Sequence, residues 1–370
     1  MTEEILVNLG PRSYPIIIGA GSLATVGDRL RGLTVGRRSA VVSDRSIMAL
    51  HGPPVLDSLT TAGFSVDEIS VPEGEAAKTL PVAQQCWDAC LALGLDRTST
   101  ILALGGGAVG DLAGFVAATY MRGVSFVQLP TTLLAQVDAS IGGKVAIDHP
   151  RAKNLIGAFH QPRLVIADPK ALLTLSERQF RSGLAEVVKH GIVLDADYFA
   201  DLERHVSEIM ARDLPILERV LAGSCRLKAR VVEADETESE LRAVLNYGHT
   251  VGHALEAATE YARWVHGEAV ALGIAVVARI AERLGIADSE TARRQLRLLE
   301  AVGLPVSCSG METSAILGAI ARDKKAREGR VPFVLAPRIG THRLTFDVPQ
   351  ALVAEVLNEV TNAREIPSAS

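Results

Sequence analysis

The sequence predicts an α/β fold in two parts, an N-terminal Rossmann-like open parallel-sheet domain over residues 1–174 and an all-helical C-terminal domain over 175–370. Three observations carry this. Short β-branched runs alternate with helical ones in the first half, and several are too uniformly apolar to keep one wet face, as in a parallel sheet covered on both sides. Near Thr174 the pattern changes and helical periodicity dominates. The length of 370 residues exceeds what one core usually supports, and 48% apolar content excludes a mostly disordered chain.

In order, "SYPIIIG", "SAVVSD", "FSVDEISV", "TSTILALGGG", "VSFVQLP" and "RLVIADP" read as strands. The stretches "PVAQQCWDACLALG" and "GDLAGFVAATYMRG" between them read as helices. Ligands of such a sheet bind beyond the carboxyl ends of its strands. A capping box, Ser176 with Gln179, opens the helical half, which continues through "GLAEVVKHGIV", "LPILERVLAGSCRLKARVVEAD", "HGEAVALGIAVVARIAERLG" and "TARRQLRLLEAVG". A small hairpin of "VPFVLAP" with "THRLTFDV" interrupts it, and the tail "EIPSAS" reads as loose.

The net charge of −5, without a run of like charges, points to neither a nucleic-acid tract nor an anionic-membrane patch. "MTEEILVNLG" lacks the basic flank and apolar core of a secretory signal, and no charge-free apolar run approaches a bilayer span, so the sequence reads as cytoplasmic. Of Cys86, Cys90, Cys225 and Cys308 none falls in a C-x-x-C spacing. Cys86 and Cys90, four residues apart beside Trp87 and Leu91, read as helix packing.

Four regions could carry chemistry. In "ILALGGGAVGDLAG", Gly105, Gly107 and Gly110 fit G-x-G-x-x-G between a strand and a helix, where backbone N–H groups and the helix N-terminus suit a phosphate. A tight turn needs glycine in any case, but Asp44 at the end of "VVSD" offers a ribose partner, and "VPEGEAAKTL" offers Glu73, Gly74, Glu75 and Lys78 in a second such turn. The acid precedes the glycine loop, so this is a variant nucleotide site. "LPTTLLAQVDASIGGKVAIDHPRAKNLIG" supplies Thr131, Thr132, Asp138, Lys144, Lys153 and Asn154 for a polyhydroxylated anion; its bland reading is a solvated loop.

"GLAEVVKHG" sets Glu186 and Lys189 at i, i+3, an ordinary helix ion pair on its own. His249 and His253 share a helix face in "LNYGHTVGHALE", and "HGEAV" adds His266. One carboxylate with two or three imidazoles makes a catalytic zinc set with a position left open, and spacing does not say which histidines bind. Lys228, Arg242, Lys324 and Lys325 come from separate helices; each alone is a surface charge, but together they suit a substrate with phosphate and carboxylate.

From "SYPIIIG" to "DKK" the chain resembles the 3-dehydroquinate synthase family of the shikimate pathway. The resemblance is densest in "GGGAVGDLAGFVAATYMRG", "QLPTTLLAQVDASIGGKVAIDHPRAKNLIGAFHQP", "GLAEVVKHG", "LRAVLNYGHTVGHALE" and "HGEAVALG". It implies a dehydroquinate synthase-like fold, a tightly held NAD, a zinc or cobalt ion, and 3-deoxy-D-arabino-heptulosonate 7-phosphate as substrate. The implied sequence is transient oxidation by NAD, phosphate elimination, reduction and intramolecular aldol closure. The implied metal ligands are Glu186, His249 and His266, with His253 a phosphate residue instead.

The implied NAD positions are Asp44, then Glu73, Gly74, Glu75, Ala76, Ala77 and Lys78. They continue with Gly107, Ala108, Val109, Gly110 and Asp111, with Thr131 and Thr132, and with Ala171, Leu172, Leu173 and Thr174. Lys144 and Lys153 would stand where cofactor and substrate meet. Asp138, Asn154, Lys189, Lys228, Arg242, Asn246 and one of Lys324 or Lys325 would hold substrate. Arg122 would reach the phosphate across a homodimer interface. Tyr247 replaces a frequent Phe, and "ESELR" lacks a glycine common before the Arg.

Overall fold

The apolar runs of the first half pair into one sheet. The computed structural model describes residues 2–33, 35–150, 152–238, 241–322 and 331–362. Its strands are β1 (Glu3–Val7), β2 (Tyr14–Ile18), β3 (Arg38–Asp44), β4 (Ser65–Val71), β5 (Thr100–Gly105), β6 (Ser125–Pro130), β7 (Lys144–His149), β8 (Ala152–Phe159), β9 (Leu164–Ala167), β10 (Phe333–Leu335) and β11 (Arg343–Thr345). The main sheet runs β1-β2-β9-β6-β5-β3-β4, parallel throughout except for the antiparallel edge pair β1–β2. Alternate residues of its central strands enter two cores: Ala40, Val42, Ile101 and Ala103 on one side, Val41, Leu102 and Leu104 on the other. Burial on both faces is why these runs are apolar at almost every position.

The chain leaves β3 for β4 and then returns to β5 on the opposite flank of β3. The loops after β3 and β5 therefore diverge, which opens a crevice at their carboxyl ends. Asp44 ends β3 and the Gly105–Gly107 turn follows β5, so both nucleotide motifs border that crevice.

The helices are α1 (Val26–Arg31), α2 (Arg45–Thr61), α3 (Leu80–Ala92), α4 (Gly107–Thr119), α5 (Glu177–Leu194), α6 (Ala196–Arg204), α7 (Val206–Met210), α8 (Leu214–Ala234), α9 (His249–Ala258), α10 (His266–Arg283), α11 (Ser289–Ala301), α12 (Thr313–Ala321) and α13 (Gln350–Thr361). Every strand and helix read from the sequence is present, including the hairpin β10–β11. The tail "EIPSAS", Lys324 and Lys325 lie outside the described residues. Among the described residues no helix is long and apolar enough to cross a membrane.

Two features are not read from the sequence, and a third departs from that reading. Helix α2 runs through Pro53 and Pro54, residues that normally end a helix. The polar stretch after Pro130 is no solvated loop: it forms a π-helical turn, Ala135–Ala139, and the antiparallel hairpin β7–β8. Finally, the two compact units do not meet at one point of the chain. Met1–Ser176 group with Arg212–Thr237, and Glu177–Ala211 with Glu238–Ser370. The boundary expected at 174/175 misses the return because α8, helical by period, buries its apolar face against β1 and β2.

Candidate active site

In the helical unit, glycines decide how closely three helices approach. A Cβ on Gly273 of α10 would clash with the Gly248 carbonyl, and one on Gly252 would lie 3.0 Å from the Ala269 carbonyl oxygen. Gly248 also has φ +78°, which L side chains rarely adopt. At the start of α10 a Cβ on Gly267 would collide with the Ser182 backbone of α5, and the Gly267 N–H donates to Ser182 Oγ at 2.9 Å. Gly248, Gly252 and Gly267 each adjoin a site histidine in sequence, and Gly273 is the contact opposite Gly248. The packing therefore brings His249 on α9, His266 on α10 and Glu186 on α5 to one place.

That place has the geometry of a metal site. Glu186 is fully buried, and neither carboxylate oxygen accepts a hydrogen bond among the described residues, although Lys189 lies against Oε2 as an ion pair. His249 Nε2 and His266 Nε2 stand 3.5 and 3.6 Å from Glu186 Oε1. Ligand atoms about 2.0–2.1 Å from a tetrahedral ion are separated by about 3.3 Å, so these donors are close to ligating positions. The three can each offer one ligand atom within 4.8 Å of the others. A buried carboxylate is costly unless cations meet it; Lys189 supplies one at Oε2, and Oε1 is faced by the two imidazole Nε2 atoms.

Burial alone would raise the Glu186 pKa, but Lys189, then His249 and His266, outweigh it and hold the carboxyl well below its usual range. Burial and then the Lys189 charge push His249 well down. Burial would lower His266, but the carboxylates of Glu186 and Glu256 beside its two ring nitrogens overcome it and push the imidazole up to about 10. Lys189 is itself buried and donates to the Leu245 carbonyl at 2.7 Å.

The rest of the helical set is close in sequence. Arg242 is buried within the 3₁₀ turn Leu241–Asn246, whose last residue donates from Nδ2 to Glu238 Oε1 at 3.4 Å. His253 is exposed, its ring edge-on to His249 with centroids 5.3 Å apart. The hydroxyl of Tyr247 is buried and donates to Gln295 Oε1 at 2.6 Å, so the exchange for Phe is accommodated.

In the sheet unit, Lys78 is the centre. Its side chain is 4% exposed; its ammonium donates to Asp111 Oδ2 at 2.8 Å and to Asn154 Oδ1, with Glu75 at 3.8 Å. The "EGEAAK" turn, the start of α4 and the β7–β8 hairpin thus meet on one charge. Asn154 sits at φ +54°, and Asp148 Oδ1 accepts its N–H at 2.7 Å. Lys228 donates to both the side chain and the carbonyl of Asp138 at 2.5 Å.

Helix α4 begins at Gly107 with no side chain capping its N–H groups, and Thr131 Oγ1 is buried without a hydrogen bond among the described residues. Both leave polar groups for a nucleotide to satisfy. Asp44 caps α2 by accepting the Ile47 N–H at 2.9 Å and borders a cavity of about 340 Å³. Thr174 closes its turn by donating to the Ala171 carbonyl and shares a 3.0 Å hydrogen bond with His51, a residue no motif singled out. Lys144 is exposed, and Lys153 Nζ stands 3.9 Å from Glu75 Oε1.

The Asp111 carboxyl is pushed up to about 6 by burial, against the pull of Lys78. A carboxyl whose folded pKa exceeds its unfolded value favours folding when protonated, so this contribution fades as pH rises from about 4 through about 6. The melting temperature of the parent is expected to fall relative to Asp111→Asn across that window. Parallel pH profiles for the two proteins would show that burial does not penalise the charge.

Fold and site define a class of chain in which an open parallel sheet is combined with a helical, metal-competent half. A 2-epi-5-epi-valiolone synthase from Streptomyces hygroscopicus subsp. jinggangensis, solved with NAD+ and Zn2+ bound, superposes with a TM-score of 0.86 at 28% identity over 94% of this chain and 96% of its own. A 2-deoxy-scyllo-inosose synthase complexed with carbaglucose-6-phosphate, NAD+ and Co2+ also gives 0.86, at 26% identity over 97% of this chain and all of its own. The sequence is more specific. The N-terminal and C-terminal profiles of 3-dehydroquinate synthase match residues 68–182 and 183–326. A 3-dehydroquinate synthase of Pelotomaculum thermopropionicum is 52% identical over 339 residues, 91% of each chain. The chain belongs to the 3-dehydroquinate synthase family.

Proposed function

We propose that this protein converts 3-deoxy-D-arabino-heptulosonate 7-phosphate to 3-dehydroquinate and phosphate, as a phosphate-eliminating carbon–oxygen lyase with resident NAD and a zinc or cobalt ion. The observation that carries it is the fully buried Glu186 carboxylate, paired with Lys189 at Oε2 and faced at Oε1 by two imidazole Nε2 atoms. The solved neighbours that hold NAD+ with Zn2+ or Co2+ supply the choice of groups.

Glu186, His249 and His266 would hold the metal, and the uncapped start of α4, Asp111, Thr131 and the Lys78 turn would hold the nucleotide. When bound, the nicotinamide supplies a reversible hydride acceptor and the ion a Lewis acid for substrate oxygens. The protein's own work is positional. Arg242 offers a planar fork to a carboxylate, His253 and Arg122 take phosphate, and Asp138, Lys144, Asn154, Lys189, Lys228 and Asn246 hold hydroxyls. No side chain is assigned as the base for the C6 proton, which the leaving phosphate can take.

The same reading makes the protein a cytoplasmic homodimer in which Arg122 serves the partner's substrate. Met121, Arg122 and Gly123 have φ of +49°, +68° and +117° in succession, a strained stretch of the kind functional loops retain. The test is incubation with the heptulosonate phosphate, NAD and metal. Dehydroquinate and free phosphate should appear one to one, without net NADH, because oxidation and reduction occur on the same substrate molecule. NADH accumulating in step with turnover would favour a dehydrogenase, and absence of both products would overturn the assignment.

A further inference from the structure

We propose that Glu256 is a positioning residue for the metal ligand His266, fixing its tautomer and raising its basicity; the inference rests on the metal-site reading above. The two ring nitrogens of His266 face two different carboxylates. Nε2 stands 3.6 Å from Glu186 Oε1, and Nδ1 stands 3.4 Å from Glu256 Oε1. A neutral imidazole has one N–H. With that N–H on Nδ1 and directed at Glu256, the Nε2 lone pair faces the ion position beside Glu186.

His249 reaches the same result with a different acceptor. Its Nδ1 is 3.1 Å from the Tyr247 carbonyl oxygen, which can only accept, so the N–H belongs on Nδ1 and Nε2 is again the free nitrogen, 3.5 Å from Glu186 Oε1. Both ligands thus present Nε2 to one carboxylate oxygen. One is oriented by a neutral carbonyl and the other by a carboxylate, which polarises the ring more strongly and makes His266 the more electron-rich ligand.

Glu256 is placed for this by the sequence. It follows His253 by three residues and His249 by seven, on one face of α9, and its side chain is 12% exposed. The glycine contacts that bring α10 against α9 deliver His266 to it.

Two other roles fit the same atoms and are separated by experiment. Glu256, His253 and His266 could themselves ligate a cation, since their donor atoms also lie within 4.8 Å of one another. Alternatively the Glu256–His266 contact could only tie α9 to α10. The full-length metal-free parent, Glu256→Gln, Glu256→Ala and His249→Ala are titrated with Co2+ against a chromophoric chelator. The visible Co2+ absorption and the metal-free melting temperature are recorded alongside.

The expected result is one Co2+ per parent chain, bound about 10- to 100-fold more weakly by Glu256→Ala, with a shifted band and a metal-free melting temperature close to the parent's. Glu256→Gln, whose amide oxygen still accepts the Nδ1 hydrogen, should lose less. Parent-like affinity in Glu256→Ala overturns the proposal, as does equal loss in both variants that tracks a lowered metal-free melting temperature. Two Co2+ per parent chain, one of them lost from each Glu256 variant, overturns it in favour of direct ligation. A parent that binds no Co2+, or a His249→Ala protein that binds as the parent does, overturns the metal-site reading itself.

Discussion

His249→Ala is expected to lose both bound metal and turnover, whereas His253→Ala keeps its metal and loses turnover alone. The two histidines sit one helical turn apart, and spacing cannot separate them, but their surroundings can. His249 is turned by the Tyr247 carbonyl so that Nε2 faces Glu186, and its side chain is 12% exposed. His253 is exposed, and its ring edge packs on His249. Removing His249, one of the three proposed ligands, should weaken metal binding by more than the roughly 10- to 100-fold that loss of an outer partner costs. On the proposed assignment, removing His253 takes away a phosphate partner and leaves the three metal donors in place. Metal analysis of the purified variants, with far-UV circular dichroism as the folding control, decides it. Equal metal loss in both would make His253 a ligand and leave Arg122 as the remaining proposed partner of the phosphate.

The sheet was legible because two-sided burial forces continuous apolar runs, and the long helices because their faces repeat every three to four residues. What escaped the sequence was hidden for identifiable reasons. The two prolines of α2 argue against the helix they occupy, and the β7–β8 hairpin has no alternation to read, since β7 buries three consecutive residues and most of β8 is exposed. Helix α8 has a correct period, but period does not say which core a helix covers. At the site, the histidine motif and Glu186 were readable as donors, yet their arrangement depends on Gly248, Gly252, Gly267 and Gly273, whose role is contact across helices distant in sequence. Glu256 carried a signal, its place on the histidine face of α9, but a carboxylate on a helix is ordinary until a second helix brings an imidazole to it. Asp148 gave none, because its contribution is one bond to the Asn154 backbone.

Arg242→Leu is expected to lower kcat/KM by at least about tenfold to a hundredfold on the heptulosonate phosphate, and hardly at all on an analogue without the carboxylate. The fold does not choose among the cyclases, since synthases of valiolone and deoxy-inosose skeletons both superpose with a TM-score of 0.86. Side chains that recognise a carboxylate must therefore do so. Arg242 is 3% exposed, and a guanidinium forks onto a carboxylate through two parallel N–H···O bonds, a geometry an ammonium cannot copy. Hydrogen bonds to charged groups contribute about 1.5–3 kcal/mol each, and about 1.4 kcal/mol is a factor of ten in rate, which sets the expected loss. Arg242→Lys, with the charge kept and the fork removed, should fall between parent and Leu. The analogue should already be a poor substrate for the parent, because the carboxylate contact deleted in the variant was never made. Measuring both substrates on parent and variant gives a double-difference cycle in which any general damage to the fold cancels. Equal losses on the two substrates would place Arg242 in a structural ion pair, and the choice of dehydroquinate synthesis over a sibling cyclase reaction would then rest on sequence identity alone.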